Sequence, residues 1–103
     1  MRFRKSEIDK ITMLCYNHSV NELYLFGSAL TSEFTEKSDI DLLVRFSEVK
    51  ADDYFNNYMD LKEKLEELFM RPVDLVEDQA IRNPVFRKIV DRDKHLLYGR
   101  KTA

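Results

Sequence analysis

A chain of 103 residues, 44% apolar and 35% charged, has the length and balance of one globular domain spanning residues 1–103, with no room for a second. Its formal net charge of −2 lacks the strongly basic footprint of a non-specific nucleic-acid binder, so no direct nucleic-acid contact is expected, while a nucleotide as a small ligand stays open. Cys15, the single cysteine, excludes an internal disulfide and a thiolate metal site; no apolar run could span a bilayer and nothing reads as a signal peptide, so the expectation is a cytoplasmic protein with no membrane partner.

In chain order, Ser6-Glu7-Ile8-Asp9 reads as a helix start, with Ser6 as N-cap and Asp9 reaching back to it. Ile8, Ile11, Leu14 and Cys15 share one face of that helix, and Asn17-His18-Ser19 end it. Leu23-Tyr24-Leu25-Phe26 is a short buried strand closed by Gly27. Residues 28–38 form the connection, in which Ala29, Leu30 and Phe34 supply one or two helical turns.

Residues 40–46 form a second strand. Asp52 or Asp53 caps a long helix on which Tyr54, Tyr58, Leu61, Leu65 and Leu68 recur at steps of four and three, a core-facing stripe. Arg71-Pro72 stops it. Val73-Asp74-Leu75-Val76 is a third strand, interrupted by one acid. Asn83 caps a last helix with Pro84 at its first position; this helix carries Val85, Phe86, Ile89 and Val90. His95-Leu96-Leu97-Tyr98 makes a fourth, edge strand closed by Gly99. Strands alternating with helices point to a layered α/β (α+β) domain around one sheet.

The chemistry concentrates in two signals. Gly27-Ser28 follows an apolar strand, and after ten intervening residues Asp39-Ile40-Asp41 opens another, Leu42-Leu43-Val44. Side chains alternate along a strand, so Asp39 and Asp41 share one face. Two carboxylates about 6 Å apart repel by roughly 3 kcal/mol at an effective dielectric near 20. A divalent cation carrying a phosphorylated ligand is the simplest neutraliser, and Mg²⁺ suits carboxylates plus substrate phosphates. Gly27 lets the backbone approach a ligand, Ser28 adds a hydroxyl, and N–H groups beyond it face a phosphate. Taken alone, Gly27-Ser28 reads as an ordinary turn; the acids that follow it change that reading. Asp74 projects from the third strand; as an edge-strand acid it would repel unwanted pairing, but beside Asp39 and Asp41 it completes an acidic cluster. Three carboxylates around one or two Mg²⁺ ions are equipment for phosphoryl or nucleotidyl transfer. Asp91-Arg92-Asp93 repeats the acid spacing in a polar stretch with no such neighbours and reads as solvated surface.

Gly27-Ser28 and Asp39-Ile40-Asp41-Leu42-Leu43-Val44, at this separation, resemble the nucleotidyltransferase superfamily that includes polymerase beta, and more closely its minimal nucleotidyltransferase (MNT) group. Arg71-Pro72-Val73-Asp74-Leu75-Val76 is similar to that group's third-carboxylate strand, and the segment 81–98 to its C-terminal part. The resemblance implies the polymerase-beta-like palm fold, a small mixed sheet flanked by helices. It implies that Asp39, Asp41 and Asp74 hold metal and that Gly27 and Ser28 bind the triphosphate. It implies Mg²⁺ as cofactor, ATP or another nucleoside triphosphate as substrate, and a HEPN-type toxin as partner. An antitoxin of this kind would move AMP from ATP onto a hydroxyl of that toxin. The group often places arginine just after Gly-Ser; here Ala29, Leu30 and Thr31 follow, and Lys37, Arg82, Arg87 or Lys88 would have to stand in. The alternative is a catalytically weak or inactive antitoxin that neutralises a partner by covering it. A homo-oligomer is compatible with either reading.

Cys15 belongs to the core, His18 and His95 have no partner at metal-ligand spacing, and Arg45 either faces the acids or sits at a sheet end, the latter being favoured.

Overall fold

The computed structural model describes residues 2–30, 35 and 37–99, with backbone alone at 28 and 29. The elements run α1 (Lys5–Asn17), β1 (Val20–Phe26), a 3₁₀ turn (Gly27–Leu30), β2 (Ile40–Phe46), α2 (Ala51–Phe69), β3 (Val73–Glu77), a second 3₁₀ turn (Asp78–Ala80), α3 (Pro84–Asp93) and β4 (His95–Gly99). They form one mixed sheet in the order β3-β2-β1-β4. β1 lies antiparallel to β2 and β4, whereas β2 and β3 run parallel. The parallel pair needs a crossover, and α2 provides it.

Alternation along the strands sorts the core into two parts. Ile40, Leu42 and Val44 of β2 join Leu23 and Leu25 of β1 and Val73 and Leu75 of β3 on one face. Against them pack Ile11 and Cys15 of α1 and Leu61, Leu65 and Phe69 of α2. Burial also pushes the Cys15 thiol up to about 12, so it is a core residue rather than a nucleophile. The opposite face carries a much smaller cluster, Phe26 and Leu43 covered by Val90 of α3, with Phe86 and Ile81 beside it.

Two helix starts differ from expectation. α1 is capped at Arg4, not Ser6: Glu7 reaches back to accept the Arg4 backbone N–H at 3.0 Å. α2 begins after Lys50 with no side-chain cap, and Asp52 and Asp53 lie inside its first turn, where their charge favours the positive end of the helix dipole. The start of α3 is as read: the Asn83 side chain accepts the Val85 and Phe86 N–H groups at 2.9 and 3.1 Å. α2 ends on Met70, held in the left-handed region at φ 56° immediately before Arg71-Pro72.

α2 also seals the rim of β3. Glu66 accepts the Val73 N–H at 2.9 Å, and the Tyr58 hydroxyl donates to the Leu75 carbonyl. From the same middle stretch of α2, Asn57 and Asp60 reach the buried His18, which bridges α1 and α2. Its Nδ1 meets the Leu14 carbonyl and its Nε2 meets Asp60 Oδ2, each at 2.6 Å, while Asn57 donates to its backbone carbonyl. Among the described residues no helix is long and apolar enough to cross a membrane.

Leu61 is fully buried between the sheet and α1. Leu61→Ala is expected to cost about 2–5 kcal/mol, read as a lower urea midpoint with an unchanged slope. Lys64 first, and then His18, hold the Asp60 carboxyl below its ordinary range. Its stabilising contribution is therefore present at neutral pH and lost as pH falls through the folded-state value. The stability gap between wild type and Asp60→Asn should accordingly narrow on acidification; a gap that is constant with pH would contradict this account.

Candidate active site

β1 delivers the chain to the site at Phe26, whose register partner on β2 is Asp41. The next residue, Gly27, takes φ +72°. A Cβ there would lie 2.2 Å from Asp41 Oδ2 and 3.0 Å from its Cγ, so the backbone of the turn is laid directly on the carboxylate. Only glycine satisfies both the left-handed backbone and the missing space.

Asp41 is in turn the register partner of Asp74 across the parallel pair. Parallel neighbours in register share a face, with backbones about 4.8 Å apart. The face is that of α3, and α3 covers only its Phe26–Leu43 portion; Asp74 is exposed and Asp41 half-buried. Asp39, also exposed, stands one residue before β2. The Ile40 N–H beyond it donates to the Pro72 carbonyl at 3.0 Å, which ties the entrances of β2 and β3 together. The three acids thus come to neighbouring strand ends, with Gly27 pressed on the central one.

Their chemistry fits a hard cation: three carboxylate donors and a glycine cradle. Among the described residues no three His, Cys, Asp or Glu side chains are gathered as a ready cluster. What the fold supplies is register. The Ser28 hydroxyl, Thr31 and Phe34 lie outside the described residues.

Arg71 acquires a role that its place in sequence did not reveal. Its Nη1 donates to the Thr35 carbonyl at 3.0 Å and the Ser38 carbonyl at 3.3 Å. It pins the end of the connection just before Asp39. The only local signal was a basic residue next to Pro72-Val73-Asp74, which reads equally as a helix stop. Arg45 pairs in register with Glu22 at the far end of β2, as a sheet-end residue would. Of the candidate cations, Arg87 is engaged by Asp78 at 2.8 Å and Asp91 at 3.2 Å, and Arg82 donates to the Gln79 carbonyl. Lys37 and Lys88 are exposed. Asp91-Arg92-Asp93 is paired surface: Arg92 grips Asp93 through two contacts of 2.9 and 3.0 Å.

Beside Gly27 opens a groove of about 740 Å³, walled by Phe26, Leu30, Phe86 and Ile89 and lined also by the Arg92–Asp93 pair and His95. On the same face Tyr24 carries Lys94 Nζ 4.5 Å above its ring, and its hydroxyl donates to Glu22. Burial, reinforced by that bond, pushes the Tyr24 phenol up to about 12.

A mixed sheet with two helices on one face and a third on the other, a glycine turn at the end of β1 and acids at the entrances of two parallel strands make a nucleotidyltransferase domain. The chain belongs to the family described as Polymerase beta, Nucleotidyltransferase, whose model matches residues 9–103. It is 38% identical over 81 residues to a Methanocaldococcus jannaschii protein provisionally named protein adenylyltransferase, an alignment spanning 79% of this chain and 78% of that one. It is 32% identical over 71 residues to protein adenylyltransferase MntA of Thermococcus cleftensis, spanning 69% of each chain. Among solved structures, one provisionally described as a minimal nucleotidyltransferase superposes with a TM-score of 0.72 at 31% identity, over 88% of this chain and 89% of that chain. A Shewanella oneidensis complex of a tri-AMPylated HEPN toxin with its MNT antitoxin shares the fold, with a TM-score of 0.65 at 23% identity over 95% of this chain and 74% of that chain.

Gly27→Ala should cost about 1–3 kcal/mol through the left-handed backbone alone. It should also displace Asp41 and remove any rise in melting temperature given by ATP with Mg²⁺. A variant as stable and as responsive as wild type would show that the close approach is dispensable.

Proposed function

We propose that this protein is a Mg²⁺-dependent adenylyltransferase that moves AMP from ATP onto a hydroxyl of a partner protein, the partner being a HEPN-type toxin and the chain its antitoxin. One observation carries the reading: Asp41 stands in register with Asp74 on a parallel neighbour while the Gly27 backbone rests on its carboxylate. That arrangement supports a triphosphate lying along the turn, its charge met by a cation on the acids. The names of the relatives support adenylyl transfer to protein, and the toxin complexes among the structural neighbours support the partner. A cytoplasmic location, where ATP is plentiful, goes with this reading.

Asp39, Asp41 and Asp74 would hold the metal. When bound, Mg²⁺ neutralises the triphosphate and lowers the pKa of the attacking hydroxyl. The chain's own contribution is placement. Gly27 admits the phosphates without a side chain in the way, and its neighbours offer backbone N–H groups to phosphate oxygens. Arg71 holds the connection so that Asp39 enters beside Asp41. In the transfer, the acceptor oxygen bonds to the α-phosphorus and the bond to the bridging oxygen breaks. Pyrophosphate leaves with that electron pair, and the hydroxyl proton passes to solvent or to Asp74.

A second reading has its own support. Residues 28–36 contain no lysine or arginine, so the turn brings no cation of its own to a triphosphate. A chain with a weakened nucleotide site could still neutralise its partner by covering it.

ATP labelled at the α-phosphate, Mg²⁺ and the cognate partner should give labelled partner. Asp39→Ala with Asp41→Ala should reduce transfer at least a hundredfold and leave cells unprotected from the toxin. If that double variant protects as well as wild type, the covering mechanism replaces the catalytic one.

A further inference from the structure

Charge is divided across the sheet. Between Ile81 and Lys94 stand five basic residues and two acids, in a chain of net charge −2. α2, on the opposite face, carries six acids against two lysines. The basic pole therefore flanks the groove that begins at Gly27.

On α3 itself, Val85, Lys88, Ile89 and Arg92 recur at i, i+3, i+4 and i+7, which makes them one stripe. All four are exposed, Val85 at 66% and Ile89 at 45%. The sheet-facing side of the helix is served by Phe86 and Val90, and neither Val85 nor Ile89 enters a core cluster. Leu30, 40% exposed, faces the same groove as Ile89 from the turn after Gly27. Val85, Ile89 and Leu30, beside the exposed Lys88 and continuous with a groove that ends at Gly27, enter neither core cluster among the described residues.

We propose that this stripe docks an acidic, apolar-anchored segment of the acceptor protein. Aliphatic or aromatic residues of that segment would cover Val85, Ile89 and Leu30, and a carboxylate of it would meet Lys88, Arg92 being already paired with Asp93. A hydroxyl borne on or next to the segment is thereby delivered to the Gly27 end of the groove. The proposal rests on the protein-hydroxyl reading above and adds to it the surface and the chemistry of recognition.

The test measures acceptor binding by calorimetry, separately from transfer, with the HEPN-type partner as probe. Val85→Ser with Ile89→Ser should weaken binding at least tenfold, and so should Lys88→Glu, whereas Ile89→Leu should bind as wild type. The melting shift given by Mg²⁺ and a non-hydrolysable ATP analogue should be unchanged in the Val85→Ser, Ile89→Ser double variant and in Ile89→Leu, since neither touches a charged group. Raising salt should weaken the wild-type complex more steeply than the Lys88→Glu complex. Asp39→Ala with Asp41→Ala should bind the acceptor normally, so a wild type that binds through the stripe but transfers nothing would refute the activity and leave the docking surface standing. The docking proposal is overturned if wild type forms no complex, or if the stripe variants bind and are modified as wild type is. It is overturned equally if Lys88→Glu alters only binding to phosphatidylserine vesicles, or only the protein's own oligomeric mass; the latter would assign the stripe to the acidic α2 of a second copy.

Discussion

The parallel pairing of β2 and β3 is the constraint on which the rest depends. It sets Asp41 opposite Asp74, and a hydrogen bond from the Ile40 N–H to the Pro72 carbonyl fixes the strands at their entrances. Like charges directly opposite one another disfavour strand pairing, so this register has to be enforced from elsewhere. The enforcement comes from the other face. Ile40, Leu42 and Val44 of β2 and Val73 and Leu75 of β3 are buried against the helices, and a slip of one residue would expose that entire set to water while burying the acids. The hydrophobic face thus holds the carboxylates in an arrangement they would not adopt on their own.

The unequal division of the core follows the same logic. Two helices cover one face completely, whereas the short α3 covers only part of the other. A fuller roof over that face would add stability and close the ground above Asp41 and Asp74. The groove beside Gly27 opens between α3 and the turn after β1, and that turn is built from the one residue type that can lie against Asp41.

Much of this was legible along the chain. β2 was readable from Ile40 to Phe46 because an apolar run between polar flanks has few alternatives, and the start of α3 because Asn83-Pro84 is a strong local signal. The resemblance carried by Gly27-Ser28 and Asp39-Ile40-Asp41 led to the family. What was not legible depends on partners distant in sequence. Arg71 finds the Thr35 and Ser38 carbonyls more than thirty residues upstream, and His18 finds Asp60 across two elements. Helix caps failed where a longer side chain did the work: Glu7 reaching back to Arg4 displaced the better local candidate, Ser6. That Asp74 lies beside Asp41, rather than at an unrelated edge, is a fact of strand order, which periodicity does not encode.

The side chains with which α2 closes the outer rim of β3 have one more effect. A bare rim would invite a foreign strand to zip onto the sheet next to Asp74, crowding the carboxylates with a backbone that brings neither phosphate nor hydroxyl. With Glu66 and Tyr58 occupying those hydrogen-bonding positions, any visitor to the acidic end must arrive over the open face, by way of its own side chains.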